Sequence, residues 1–328
     1  MKRHRPNKKD NRITKVPNIS ASDAKRSDDQ EIKTTASIQG KTSSIGLFAA
    51  KELSIQGFLL SVARGKRKEA EEMLNIRDGA ARSKLLLSVA EFTDYSGRTF
   101  RCTAYQYAYW AKDTKMCSML EKYMDADTKS SILKLIMEME RIDESTSKVI
   151  GLTYQQYNET HNSAHFDFSP LIQALETYMT CVLTSNVIEN DCNWMEVGQA
   201  QRDVPAHVAQ EYCGRDSDSY YNRNTLQVLT FQNEITGQKD SWFPLNDNSG
   251  LGFTFAVLGL TKGAIAVGGE SRWKHEGDWL DYFQRHHTMG RPDWERMRRL
   301  DDERTLELKQ LRENLDPTIS QYRQCSVM

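Results

Sequence analysis

The apolar positions of the chain change their spacing three times, and each change marks a different kind of element. From about Ile45 to Ile150 the spacing is helical: Phe58, Leu59, Val62, Ala63, Ala70, Met73 and Leu74 recur at three- and four-residue intervals, and Gly65 separates two helices. A second unit follows, with an Asp94-Tyr-Ser-Gly97-Arg-Thr99 turn ahead of Thr103–Ala108 and then Met116, Met119 and Leu120. A turn of the D-x-x-G-x-T type followed by a helix pair is the pattern of an ankyrin repeat, although the two units are wider apart than that repeat's period. A helical, ankyrin-like module over 45–150 is expected, its Tyr105, Tyr107, Tyr109 and Trp110 in the core and a further helix over Thr128–Ile142.

Beyond Gly151 the pattern mixes. His165, Asp167 and Ser169 alternate with Ala164, Phe166 and Phe168, which predicts a short strand with Ser163 on the polar side. Leu171–Leu183 reads as a helix, Leu226–Phe231 as a strand and Phe253–Val267 as a glycine-bent strand pair. Pro292–Leu315 reads as an amphipathic helix whose apolar side is Leu300, Leu306, Leu308, Leu311 and Leu315. The expected class is α+β, mostly helical: a helical ankyrin-like front followed by a mixed α/β domain of the catalytic type over 151–328.

Charge adds a third region. Residues 1–44 hold 11 Lys/Arg and 5 Asp/Glu, so they carry +6 while the other 284 residues carry −7. With so few apolar groups, 1–44 reads as a disordered basic tail; its acids are interspersed and no aromatics are interleaved, so no nucleic-acid partner is expected. No apolar run is long enough to span a bilayer, so no membrane insertion is expected. The six cysteines form no CxxC pair, as expected of reduced thiols.

Candidate chemistry sits in two places. In Gln201-Arg-Asp-Val-Pro-Ala-His-Val-Ala-Gln-Glu-Tyr212, Asp203 and Pro205 predict a helix start. His207 and Glu211 then share one face, where the carboxylate can hold the imidazole tautomer. Free N–H groups at that helix start suit a phosphate, and Arg202 just ahead is a candidate clamp. The second cluster is His161, Ser163, His165, Asp167 and Ser169. With His207 and Glu211 it could make a Ser/His/Glu site or hold a divalent metal, and spacing does not choose between them. No GxxxxGK[ST], GxGxxG or HExxH motif is present; Gly250-Leu-Gly252 reads as a turn, and His286-His287 as surface.

The phrases Asp94–Phe100, Thr103–Thr114, Ser163–Phe168, Ala200–Cys213, Ser241–Leu245 and Leu308–Leu315 together resemble a family of secreted Legionella effectors. Its members join a degenerate ankyrin-like front to a C-terminal domain similar to the LnaB-type toxins, whose signature is a serine followed downstream by HxxxE. The resemblance covers roughly residues 56–318. It implies Ser163, His207 and Glu211 as catalytic residues, with Ser169 a competing serine and Arg202 and His165 as nucleotide-binding residues. It further implies a type IV-secreted, actin-dependent adenylyltransferase in the host cytoplasm. Such an enzyme moves AMP from ATP, with Mg²⁺, onto a phosphate carried by a host protein or by modified ubiquitin. The alternative is a non-catalytic, ankyrin-like effector that binds a host protein.

Overall fold

The computed structural model describes residues 55–181, 187–213, 229–233, 235–243, 245, 249–260, 263–268 and 279–316. The basic tail lies outside them, as do the side chains of His286 and His287. The described residues belong to one compact unit. It is mixed α/β, with more helix than strand.

The front follows its periodicity. Helix α1 (55–63) buries Phe58, Leu59, Val62 and Ala63, Gly65 turns the chain at φ +67°, and α2 (Arg67–Asn75) buries Ala70 and Leu74. Helix α3 (Gly79–Leu86) begins where the Asp78 side chain accepts from Ala81 N. Strands β1 (Ala90–Thr93) and β2 (Thr99–Cys102) form a hairpin around Asp94–Gly97. Its turn is closed by the Asp94 carboxylate, which accepts from Ser96 N and Arg98 N at 3.0 Å each. A complete capping box of Thr103 and Gln106 starts α4 (Ala104–Trp110), and Asp113 caps α5 (Thr114–Glu121). All four aromatics of α4 are buried, as expected. Asp125 caps α6 (Ala126–Glu140), which buries Ile132, Ile136 and Met139.

A two-residue-strand hairpin, β3 (Ile142–Asp143) and β4 (Lys148–Val149), leads to β5 (Leu152–Gln156) and β6 (Glu159–Ser163). The sheet order is β1-β2-β5-β6, with Phe100 opposite Tyr154. The boundary expected near Gly151 therefore falls between strands that share one sheet. The β5–β6 turn is Tyr157-Asn158, both at positive φ, the left-handed pair that suits the twist of a tight hairpin.

The strand expected through His165–Ser169 does not form. Strand β6 ends at Ser163 because Phe166 N bonds the Trp110 carbonyl, and Asp167 accepts from Ser169 N to start α7 (Ser169–Cys181) with Pro170 in its first turn. Phe166 and Phe168 are both buried, so the sequence alternation reflects two anchors of an irregular link.

Helix α8 (Val187–Arg202) and α9 (Ala206–Cys213) pack on a second sheet of order β8-β7-β10-β9. Its strands are β7 (Thr230–Asn233), β8 (Gln238–Ser241), β9 (Phe255–Leu260) and β10 (Gly263–Gly268); β9 and β10 are the expected hairpin, and β7 runs later than expected. The expected start of that strand, 226–228, lies outside the described residues. Gln201 locks α8 to the sheet edge: its amide donates to Val257 O and accepts from Val257 N, as a neighbouring strand would. The Gly250-Leu-Gly252 turn packs backbone to backbone on α8, where a Cβ on Gly198 would lie 2.7 Å from Gly252 N.

The C-terminal helix α10 (Trp279–Leu315) starts well before Pro292, which lies inside it. Leu300, Leu308, Leu311 and Leu315 are buried, whereas Leu306 is 68% exposed and leaves the expected stripe. The stripe passes instead through Arg304, one turn from both Leu300 and Leu308. Ion pairs from Asp301 to Lys112 and from Arg312 to Glu140 fasten α10 to the front.

Candidate functional site

His207 lies in the first turn of α9 and is 2% exposed. Its Nε2 is buried without a hydrogen-bond partner among the described residues. Burial pushes its pKa down to about 4; Asp113 pulls it upward and Arg304 pushes it further down. At neutral pH the imidazole is therefore uncharged, a buried base.

The turn ahead of His207 is held from outside its own segment. Arg98 Nη1 donates to Asp203 O at 2.7 Å and the Ser96 hydroxyl to Val204 O at 2.8 Å. Gln156 Nε2 and the Tyr157 hydroxyl both donate to Asp203 Oδ1, at 2.8 and 2.9 Å. Asp203 was expected to cap the helix; its carboxylate is instead occupied by the β5–β6 hairpin, and α9 begins directly after Pro205. The two hairpins thus set the position of His207.

Arg98 is the centre of that clamp. It is 2% exposed, pairs with Asp94 at 2.8 Å and lies over the Trp110 and Phe166 rings at 5.0 and 5.5 Å. Burial alone would lower its pKa, but Asp94, Tyr107 and Asp203 outweigh burial and hold it above the usual value. Asp94 Oδ2 also accepts from Tyr107.

Ser163 ends β6 and its hydroxyl accepts from Trp110 Nε1 at 2.9 Å. Opposite it Gly151 has φ +65°, and a Cβ there would come 2.6 Å from the Ser163 carbonyl carbon. Ser163 bonds Trp110 at the end of α4, while His207 feels the charge of Asp113 at the start of α5, and no hydrogen bond joins Ser163 to His207. The backbone of Glu211 lies one helical turn after His207; its side chain is outside the described residues.

The two expected nucleotide-binding residues make these contacts. Arg202 donates from Nη1 to Leu251 O at 2.9 Å and lies over the Phe253 ring at 5.0 Å, against the 250–255 turn. His165 packs on Tyr109 with its Nε2 3.9 Å from Glu140, and burial followed by Lys112 lowers its pKa. Among the described residues no three His, Cys, Asp or Glu side chains come together as a metal site. Sequence reasoning missed Arg98, Asp113 and Arg304 as neighbours of the site. Arg304 had a signal, a cation within an apolar stripe at helical spacing; Asp113 had none beyond helix capping.

These features define a mixed α/β protein in which a C-terminal helix-and-sheet region is braced by hairpins of its helical front. The CBUA0006 C-terminal domain model matches residues 170–315, from the start of α7 to the end of α10. The chain is 33% identical over 244 residues to the uncharacterized protein CBUA0006 of Coxiella burnetii, covering 70% of this chain and 69% of that one. It belongs to this bacterial family. No solved structure matches it. Among the described residues no helix is long and apolar enough to cross a membrane.

Proposed function

We propose that the chain is an ATP-dependent adenylyltransferase of the secreted-effector type, acting in the host cytoplasm with an ankyrin-like front and a catalytic C-terminal region. An oxygen of a phosphate already carried by a host protein, or by modified ubiquitin, attacks the α-phosphorus of ATP. The bond from that phosphorus to the bridging oxygen breaks and pyrophosphate leaves. Such an acceptor is nucleophilic at neutral pH, so orientation and charge stabilisation matter more than a strong base. His207 is the residue for that task, with Glu211 orienting it and Ser163 bonding phosphate oxygens.

The observation that supports this reading is the uncharged, buried imidazole of His207, its Nε2 without a partner among the described residues and its turn held by Arg98, Ser96 and Gln156. The hairpin and helix pair over 90–121 are what the ankyrin-like reading of the front rests on. His207 is enclosed, so the fold around it must open before a nucleotide can reach it. That requirement suits an enzyme switched on by a partner such as actin. Magnesium would ride on the pyrophosphate oxygens, which leave few ligands for the protein to supply.

The test is transfer from α-labelled ATP to a phosphotyrosine-bearing protein by the full chain, with and without actin. Label is expected only with actin, and His207→Ala is expected to abolish it; equal labelling by the variant, or indifference to actin, overturns the proposal. A second reading, a non-catalytic host-protein binder, draws on the cross-strand pair Ile142 and Val149, which stand 60% and 40% exposed on the β3–β4 hairpin. It predicts no heat of ATP binding by calorimetry.

A further inference from the structure

We propose that the cavity between the β7–β8 hairpin and the 250–255 turn binds an organic ammonium group. This cavity, about 350 Å³, is separate from the residues assigned to adenylyl transfer. Strand register builds it: Phe231 pairs with Asp240, and alternation puts Asn233 and Trp242 on the same face. Phe255 closes the far side, its ring 5.5 Å from that of Phe231, while Phe231 and Trp242 meet edge to face at 6.3 Å. Gly250 keeps that wall in place, since a Cβ there would come 2.6 Å from Phe255 Cε1.

The polar groups decide which ligand fits. Asn233 donates one amide hydrogen to Asp240 Oδ2 at 2.7 Å and accepts from Ile235 N and Thr236 N. The Ser241 hydroxyl donates to Phe243 O and that of Thr254 to Gly250 O. The polar groups that line the cavity beside Asp240, those of Asn233, Thr236, Ser241, Ser249 and Thr254, are neutral, so the one charge facing it is the Asp240 carboxylate. No Lys, Arg or His lines the cavity, and among the described residues none pairs with Asp240. A carboxylate beside three aromatic rings attracts a cation with an apolar body and repels a phosphate. The volume is at the small end for ligand sites, the size of a short alkylamine or one lysine side chain.

The experiment uses the full chain and saturation-transfer NMR with n-butylammonium, its anionic counterpart butyrate and neutral n-pentanol. Butylammonium is expected to bind at least roughly ten-fold more tightly than either, and Asp240→Asn, which keeps the shape and the Asn233 contact, is expected to erase the preference. Equal binding of butyrate or pentanol by the unsubstituted chain overturns the proposal without reference to any variant. An unchanged preference in a folded Asp240→Asn protein overturns it too. Nα-acetyl-lysine methylamide separates the two sources of the group: binding as tight as butylammonium or tighter identifies a protein side chain, and weaker binding a free amine.

Discussion

Two buried titratable groups, His207 beside the front and Asp293 on α10, should make stability respond to pH in opposite directions. His207 falls from an ordinary 6.5 to about 4 on folding. Between those values the unfolded chain holds a proton that the folded chain has lost, so acidification removes stability, about 3 kcal/mol over the window. Asp293 is 1% exposed, accepts from Gly259 N at 2.8 Å, and is raised by burial from 3.8 to about 7. Here the folded chain keeps the proton that the unfolded chain releases, so stability falls as pH rises from 3.8 to about 7, by about 4 kcal/mol. Over pH 4 to 6.5 the two nearly cancel. Urea unfolding followed by circular dichroism at half-unit pH steps from 4 to 8 tests this with His207→Gln and Asp293→Asn. Differences from the unsubstituted protein remove the contribution of the other carboxylates. His207→Gln should gain on acidification relative to the parent, and Asp293→Asn should lose. Parallel curves for all three proteins would refute the burial argument at both sites.

Three further outcomes follow from the packing. Arg98→Ala strands the Asp94 carboxylate in the core and unties the turn before His207; a loss of about 3–5 kcal/mol is expected by urea unfolding. Gly151→Ala combines a positive φ with overlap against β6, so it should cost more than ~1 kcal/mol in the same assay and shift the Ser163 amide resonance. Gln201→Leu leaves both polar groups of Val257 unpaired at the sheet edge, for about 1–3 kcal/mol each, measured as a lower urea midpoint at unchanged slope.

Local rules account for much of the fold. Helical spacing named the buried residues of α1 and α2, the Asp94–Gly97 turn and Thr103 marked the hairpin and the start of α4, and the strand pair β9–β10 was legible in its glycine-bent apolar run. These features depend on backbone propensities and on neighbours within a few positions, which a sequence displays directly. Errors arose where a distant group intervened. Alternation through Phe166 and Phe168 resembled a strand until the Trp110 carbonyl took the Phe166 N–H, and Leu306 fitted the apolar stripe that Arg304 completes.

The site divides the same way. His207 and Glu211 one turn apart is a statement about a helix, and the sequence by itself determined it. That His207 would be enclosed, that Arg202 would donate to Leu251 O, and that Asp203 would serve two hairpins instead of a helix end were decided by tertiary structure alone. Desolvation depends on everything packed around a group, and hydrogen bonds depend on which donors and acceptors the fold brings together. The partners that use them come from 45 or more positions away along the chain, where no spacing rule reaches.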